Sequence, residues 1–210
     1  MKYFWMLLIF SGLMLACTAT TPTATERPAA ATGTDIPPVH FETNSVLPEV
    51  TETLGATQAL TPGMASVWVY FTMASDENMT PVPVARLVPD SNIPAALVHS
   101  TLKELLKGPS DAERDAGLAS WFSPDTMDAV TGVILDNDEL TVDFVLLNVL
   151  IPNASTSAGS QMLLSQLNST VFQFDFVQTV QYTLDGDCAA FWEWLQMGCH
   201  PVTRAEWEAG

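Results

Sequence analysis

The chain has 210 residues, 48% of them hydrophobic, and its 7 basic residues are outnumbered by 24 acidic ones, which gives a formal charge of −17. Nucleic acids require a basic surface, and anionic lipid headgroups repel a strongly acidic one. The composition therefore argues against nucleic acid binding and against electrostatic attachment to a membrane.

The N-terminus resembles an export signal. Lys2 precedes an apolar run over residues 3–16 that only Ser11 and Gly12 interrupt. Such a run is short for a bilayer span but typical of the apolar region of a secretory signal.

Cys17 follows the small residue Ala16, as in a bacterial lipobox, where the cysteine is diacylated and becomes the first mature residue. Met14 occupies the place where a lipobox usually has Leu. We predict a lipoprotein signal in residues 1–17 and membrane attachment through lipid on Cys17. A cleaved secretory signal and an uncleaved anchor are the alternatives.

Residues 18–63 are rich in Thr, Ala and Pro, with almost no large apolar side chain before Phe41. Such a segment buries too little apolar surface to offset its ordering entropy, so we predict a disordered tether. The remaining 147 residues carry 5 basic and 19 acidic residues, a formal charge of −14. This length suits one domain with an ordinary core.

The domain begins with two predicted strands. Residues 66–73 alternate, placing Val67, Val69 and Phe71 on one face and Trp68 and Tyr70 on the other. The second strand, "VARLVPD", ends near Pro89.

Two helices follow. Pro94 opens the first, and Gly108 with Pro109 ends it. Its apolar stripe consists of Leu97, Val98, Leu102, Leu105 and Leu106. Ser110 and Glu113 form a capping-box pattern for a short helix over residues 111–122.

The second half of the domain predicts a hairpin, a helix and a strand. The hairpin strands flank the acidic turn "DNDE". The helix covers residues 159–174 with Leu163, Leu164, Leu167 and Val171 in its stripe, and the strand places Val180, Tyr182 and Leu184 on one face. The order ββαββαβ predicts an α+β domain over residues 64–187, with helices packed on one face of a mainly antiparallel sheet.

Residues 188–210 form a C-terminal extension that holds Cys188 and Cys199. If Cys17 is lipidated, these two cysteines are an even pair in an oxidising compartment. No CxxC is present, and His200 alone beside them makes a poor zinc site. We predict a structural disulfide worth about 2 to 3 kcal/mol, and no metal or cofactor.

Aromatic residues are concentrated between these cysteines. Phe191, Trp192 and Trp194 lie within four residues, so one face of a strand or helix cannot bury all three. They either cover the end of the core or act as exposed anchors for a partner. Trp121 and Phe122 raise the same two possibilities.

No catalytic residue is predicted. No G-x-S-x-G surrounds a serine, and Asp136, Asp138 and Glu139 do not follow the EF-hand pattern, which favours a solvated turn over a calcium site.

The segments "LLKGP", Gly117, "QL..T" and the final "DG" together resemble the GerMN domain, a family of bacterial envelope lipoproteins and spore germination proteins. The resemblance covers residues 67–186 and implies an envelope binding or assembly module without an established reaction. The germination protein that gives the family its name has two such domains in tandem, whereas this chain has one.

These observations favour a non-enzymatic lipoprotein on the outer side of the cytoplasmic membrane, whose domain binds another envelope protein or a ligand. A small-molecule receptor serving a transporter or sensor is the alternative, and an envelope hydrolase is the third possibility.

Overall fold

The computed structural model describes residues 62–209, so the predicted signal, Cys17 and nearly all of the predicted tether lie outside the described residues. Seven strands are present in this part of the chain: β1 (Met64–Met73), β2 (Pro81–Pro89), β3 (Leu118–Ala119), β4 (Val130–Asp136), β5 (Glu139–Phe144), β6 (Thr179–Leu184) and β7 (Val202–Thr203). The helices are α1 (Pro94–Leu106), α2 (Asp111–Asp115), α3 (Leu147–Leu150), α4 (Ser157–Phe172), α5 (Cys188–Trp194) and α6 (Arg204–Ala209). Single 3₁₀ turns occur at Pro124–Thr126 and Pro152–Ser155.

The α+β class and the order of the main elements are confirmed. The strands lie in two sheets, with the order β2-β1-β3 in one and β4-β5-β6-β7 in the other. All neighbours are antiparallel except β5 and β6, which pair in parallel. Helix α4 lies between β5 and β6 in the chain, and a helical crossover is what joins parallel strands. The second sheet is therefore mixed.

The predicted inward faces form the core. Val67, Val69 and Phe71 of β1 are buried, whereas Trp68 is half exposed. Helix α1 buries most of its predicted stripe and packs against β1 and β2 of the first sheet and β4 of the second. This helix therefore gives the two sheets a shared core.

The second helix is shorter than predicted. Its capping box between Ser110 and Glu113 forms as expected, but α2 ends at Asp115, and residues 118–119 pair with β1 as β3. Gly117 separates the two elements with a left-handed φ of 96°, which terminates the helix. Arg86 donates two hydrogen bonds to Glu113, at 2.8 and 2.7 Å, and these hydrogen bonds lower the pKa of that carboxyl.

The "LLKGP" motif marks a close crossing of two backbones. Gly108 follows α1 with φ of 73°, and a Cβ at this position would clash with the carbonyl oxygen of Phe122. The glycine thus serves both to end α1 and to admit the chain that crosses its end.

A row of polar side chains on α4 and at its C-cap, hereafter the polar stripe, holds this helix against the edge of β1. Gln173 makes a paired contact with the backbone of Trp68: Oε1 accepts from its N–H at 2.9 Å, and Nε2 donates to its carbonyl at 2.6 Å. One turn earlier, Thr170 Oγ1 accepts from the N–H of Tyr70 at 3.2 Å.

Gln166 completes the polar stripe in a fully buried position. Its Nε2 donates to Thr72 Oγ1 at 3.3 Å and to the carbonyl of Ala119 at 3.1 Å, while Oε1 accepts from Ser120 Oγ at 2.6 Å. β3 covers the edge of β1 only at its last two residues. At Trp68 and Tyr70 the polar stripe supplies backbone hydrogen bonds that a neighbouring strand would otherwise supply.

Replacing Gln166 with Ala should lower the free energy of unfolding by about 2 to 3 kcal/mol, because this buried side chain no longer bonds to Thr72, Ala119 and Ser120. Urea denaturation followed by circular dichroism measures the change. Gln161→Ala is the matched control, since Gln161 lies on the exposed side of the same helix, and its effect should stay within about 0.5 kcal/mol. Equal effects of the two substitutions would contradict the role of the polar stripe.

Candidate functional site: a neutral segment and its pocket

The C-terminal extension is closed by the predicted disulfide. Cys188 and Cys199 are joined, with their Cα atoms 5.6 Å apart. Asp187 caps the enclosed helix α5, because its Oδ1 accepts from the N–H of Ala189 at 2.8 Å. β7 then pairs with β6, so the extension packs into the domain at both ends.

The aromatic residues of α5 belong to the core. Phe191 and Trp192 are fully buried, and the ring of Phe191 stacks on Phe144 and Tyr182 with centroids 5.9 and 5.3 Å apart. The hydroxyl of Tyr182 donates to Asn168 Oδ1 at 2.8 Å, and burial raises the pKa of this tyrosine well above its usual value. α5 therefore extends the core beyond β6.

This placement corrects the hypothesis of exposed anchors for three of the five aromatics. Phe191, Trp192 and Phe122 are buried and inaccessible to a partner. Trp192 is enclosed on a second side by His200, whose ring centroid lies 4.1 Å from that of Trp192. Core residues and the chain after Cys199 thus cover Trp192 from two directions, which sequence spacing does not reveal.

Trp121 and Trp194 are half-buried. Trp121 Nε1 donates to the carbonyl of Gly159 at 3.2 Å and so supports the first turn of α4. Trp194 packs edge-on against Phe191 with centroids 5.8 Å apart. The buried indole N–H groups of Trp192 and Trp194 have no acceptor in the described part of the chain. Trp121 and Trp194 thus support the residues around them and are not themselves the exposed surface of this region.

The exposed surface near Trp121 and Trp194 comes from a long stretch of sequence without charged residues. Residues 144–174, hereafter the neutral segment, contain no Asp, Glu, Lys, Arg or His over 31 positions. Three large apolar side chains in it are exposed around α3: Leu146 at 60%, Val149 at 67% and Leu150 at 41%. Leu146 also has a left-handed φ of 56°, which is rare for a bulky residue and more frequent at functional sites.

A pocket of about 460 Å³, hereafter the neutral pocket, lies where the start of α4 meets the chain after α5. Gln196 closes one side by donating from Nε2 to the carbonyl of Ser155 at 2.7 Å. Its lining contains no charged residue and consists of Ser155, Ser157, Ser160, Gln161, Leu164, Leu195, Gln196 and Met197. Leu164, predicted for the core stripe of α4, is half-buried and lines this pocket instead.

This arrangement can bury apolar surface and offer hydroxyl and amide hydrogen bonds, but its residues supply no ionisable acid or base. Within residues 62–209, no group of three or more His, Cys, Asp and Glu is placed to hold a metal. His200 Nδ1 lies 2.7 Å from the carbonyl of Gly198. The predicted acidic turn joins β4 to β5, with Asn137 at a φ of 56°.

Sequence reasoning did not select Leu146, Val149, Leu150 or Met197. A signal was available, because the neutral segment is the longest uncharged run in the chain. The helical periodicity of the neutral segment predicted a core helix over much of its length. Such an apolar stripe does not show which of its residues remain accessible to solvent near the start of the helix.

The family model named Germane, described as sporulation and spore germination, matches residues 68–188. The chain belongs to this family, and its domain is of the GerMN type. No curated protein matches the sequence.

Three solved structures are similar in fold. The tandem GerMN domains of the sporulation protein GerM from Bacillus subtilis have 18% identity and a TM-score of 0.49; the match covers 73% of this chain and 49% of that one. A putative lipoprotein from Clostridium perfringens has 13% identity and a TM-score of 0.40, over 69% and 90% of the two chains. The first GerMN domain of GerM alone has 15% identity and a TM-score of 0.39, over 59% and 84%. The chain thus spans about half the length of the tandem GerM structure.

Replacing both Cys188 and Cys199 with Ser should lower the free energy of unfolding by about 3 kcal/mol, because the open loop gains entropy in the unfolded state. Guanidinium denaturation with and without dithiothreitol measures this effect. The reductant should destabilise the wild type by the same amount and leave the double variant unchanged. Insensitivity of the wild type to reductant would contradict a structural role for the disulfide.

Proposed function

We propose that the chain is a non-enzymatic envelope lipoprotein, held by lipid on Cys17 at the outer face of the cytoplasmic membrane, whose GerMN-type domain binds another envelope protein through the neutral segment. Membership of the Germane family supports a role related to sporulation or germination. No helix among residues 62–209 is long and apolar enough to cross a membrane.

One observation carries the proposal: apolar side chains are exposed within an uncharged region of a strongly acidic domain. All Asp and Glu residues of the domain lie outside the neutral segment. Covering a carboxylate with a partner costs desolvation free energy. Leu146, Val149 and Leu150 can be covered without that cost, and their burial is favourable. Depletion of charge with apolar enrichment is also the composition of interface cores.

Packing contacts hold the neutral segment in place. The 3₁₀ turn at Pro152–Ser155 packs against both α3 and α4. Trp121 supports the first turn of α4 through its hydrogen bond to the carbonyl of Gly159. A contact surface that is already ordered loses less conformational entropy on binding. This favours recognition by a preformed surface over folding on contact.

A small-molecule receptor is the second candidate, and the neutral pocket is the observation that favours it. Its volume of about 460 Å³ lies in the range of ligand sites, and its serine hydroxyls and glutamine amides could orient an uncharged ligand. Val149 does not line the pocket, so substitution at this position separates the two candidates.

Val149→Asp should reduce the cross-linked partner recovered from envelopes of the native host by about tenfold, because a carboxylate would be buried at the contact. Cross-linking with mass spectrometry measures the yield. Ile134→Asp is the matched control, since Ile134 on β4 is 66% exposed against 67% for Val149. Its yield should equal that of the wild type.

Equal recovery with Val149→Asp and the wild type would contradict the protein-binding role of the neutral segment. Circular dichroism melting of both variants excludes unfolding as the cause of any loss. A partner lost equally in both variants would place the contact elsewhere.

Cys17→Ser should move the protein from the membrane fraction to the soluble fraction, because two acyl chains provide stable anchoring and their loss removes it. Fractionation with immunoblotting measures the distribution, and mass spectrometry of the N-terminal peptide reports the diacyl group. A wild-type N-terminal peptide that begins at Met1 and carries no diacyl group would favour an uncleaved anchor over lipidation.

A further inference from the structure

The outer face of the three-stranded sheet is aromatic and uncharged. Trp68 and Tyr70 lie on the face of β1 opposite the core, and Trp68 remains 48% exposed. Their cross-strand neighbours on β2 are Ala85 and Pro83. A sheet face exposed to water is usually polar, so these residues are a notable exception.

A groove of about 240 Å³ continues this face toward the C-terminal extension. Tyr70 lines it together with residues of α4 and with Trp207 and Glu208 of α6. Gln173 lines the groove and also binds the backbone of Trp68. Tyr70 and Trp207 line the groove, and Trp68 lies beside it, two residues from Tyr70 on the same face of β1. The groove together with Trp68 is hereafter the aromatic groove.

Hydrogen-bond donors in the aromatic groove are available to a ligand. Three donors form no hydrogen bond with any of residues 62–209: the hydroxyls of Tyr70 and Ser169 and the Nε1 of Trp207. Other donors nearby, such as Nε2 of Gln173 and the N–H groups of Trp68 and Tyr70, already donate to acceptors in the domain. A ligand with exposed carbonyl groups could accept from all three. An aromatic body with a polar tip is typical of side chains that bind partners.

The charge of the aromatic groove argues against an anionic ligand. Arg204 is its one guanidinium among the described residues, and its donors bind the carbonyls of Phe172, Phe174 and Val177 and the carboxylate of Glu208. Glu208 stays mostly exposed, with 63% of its side chain accessible. In a domain of charge −14, this carboxylate favours a cationic group on the ligand.

We propose that the aromatic groove binds a proline-rich segment of a partner protein, extended as a polyproline II helix and carrying a basic residue beside its prolines. Such a helix has no internal hydrogen bonds, so its carbonyls are free to accept from tyrosine hydroxyls and indole N–H groups. Prolines pack against aromatic rings, and the preformed helix loses little entropy on binding. The basic residue pairs with Glu208. This site lies at the opposite end of α4 from the neutral pocket and does not depend on the function proposed there.

The test uses a synthetic peptide of ten prolines with two lysines at one end, titrated into the purified full chain with the disulfide intact. Tryptophan fluorescence and backbone amide NMR shifts report binding. We expect saturable binding with a Kd below about 1 mM, weakened about tenfold by Trp68→Ala and about threefold by Tyr70→Phe. Glu208→Gln should weaken binding of this peptide but not of a decaproline without lysines.

Ile134→Ala, an exposed substitution on the other sheet, is the control and should bind as the wild type does. A peptide of alternating glycine and serine with the same two lysines should not bind. Absence of saturable binding, or equal affinity of Trp68→Ala and the wild type, would overturn the proposal. Binding of a chitin oligosaccharide that depends on Trp68, without peptide binding, would assign the aromatic groove to glycans and overturn it as well. Sedimentation showing a dimer that Trp68→Ala dissociates would instead assign this face to a second copy.

Discussion

The hydrogen bonds between the polar stripe of α4 and the edge of β1 are the constraint on which the rest of the structure depends. β1 is paired along its whole length on one side only, and an open strand edge is both unsatisfied and prone to association. Thr170 and Gln173 bind the backbone of that edge, and Gln166 donates to the side chain of Thr72 beside it. They also set the direction of α4, whose first turn forms the neutral pocket and whose last turn forms the aromatic groove. The "QL..T" motif contributes two of these contacts.

The disulfide-closed extension acts through the core rather than at the surface. Phe191 and Trp192 extend the aromatic packing of β5 and β6, and in doing so they hold residues 195–197 against the start of α4. Arg204, the first residue of α6, has a similar role at the other end of α4, because it donates to the carbonyls of Phe172 and Phe174 and so fixes the start of α6 there. The extension therefore contributes one wall of each candidate site, although only Cys188 of it lies within the region that the Germane model matches.

Charge distribution separates binding surfaces from solvated ones in this domain. Its 19 carboxylates keep most of the surface hydrated. The neutral segment and the outer face of the first sheet expose apolar side chains without carboxylates among them. Burial of such surfaces is favourable, whereas an acidic surround repels acidic competitors and selects partners by charge.

The sequence alone determined the α+β class, the order of the main elements, the inward faces of β1, α1 and β6, and the disulfide. These features depend on local periodicity, capping and cysteine count, which neighbouring residues specify. Only the tertiary structure decided that Phe191, Trp192 and Phe122 are buried, that Leu164 lines a pocket, and that the strands divide into two sheets with one parallel pair. Those outcomes depend on contacts between segments far apart in the chain. An aromatic side chain has the same sequence signature whether another element covers it or leaves it exposed.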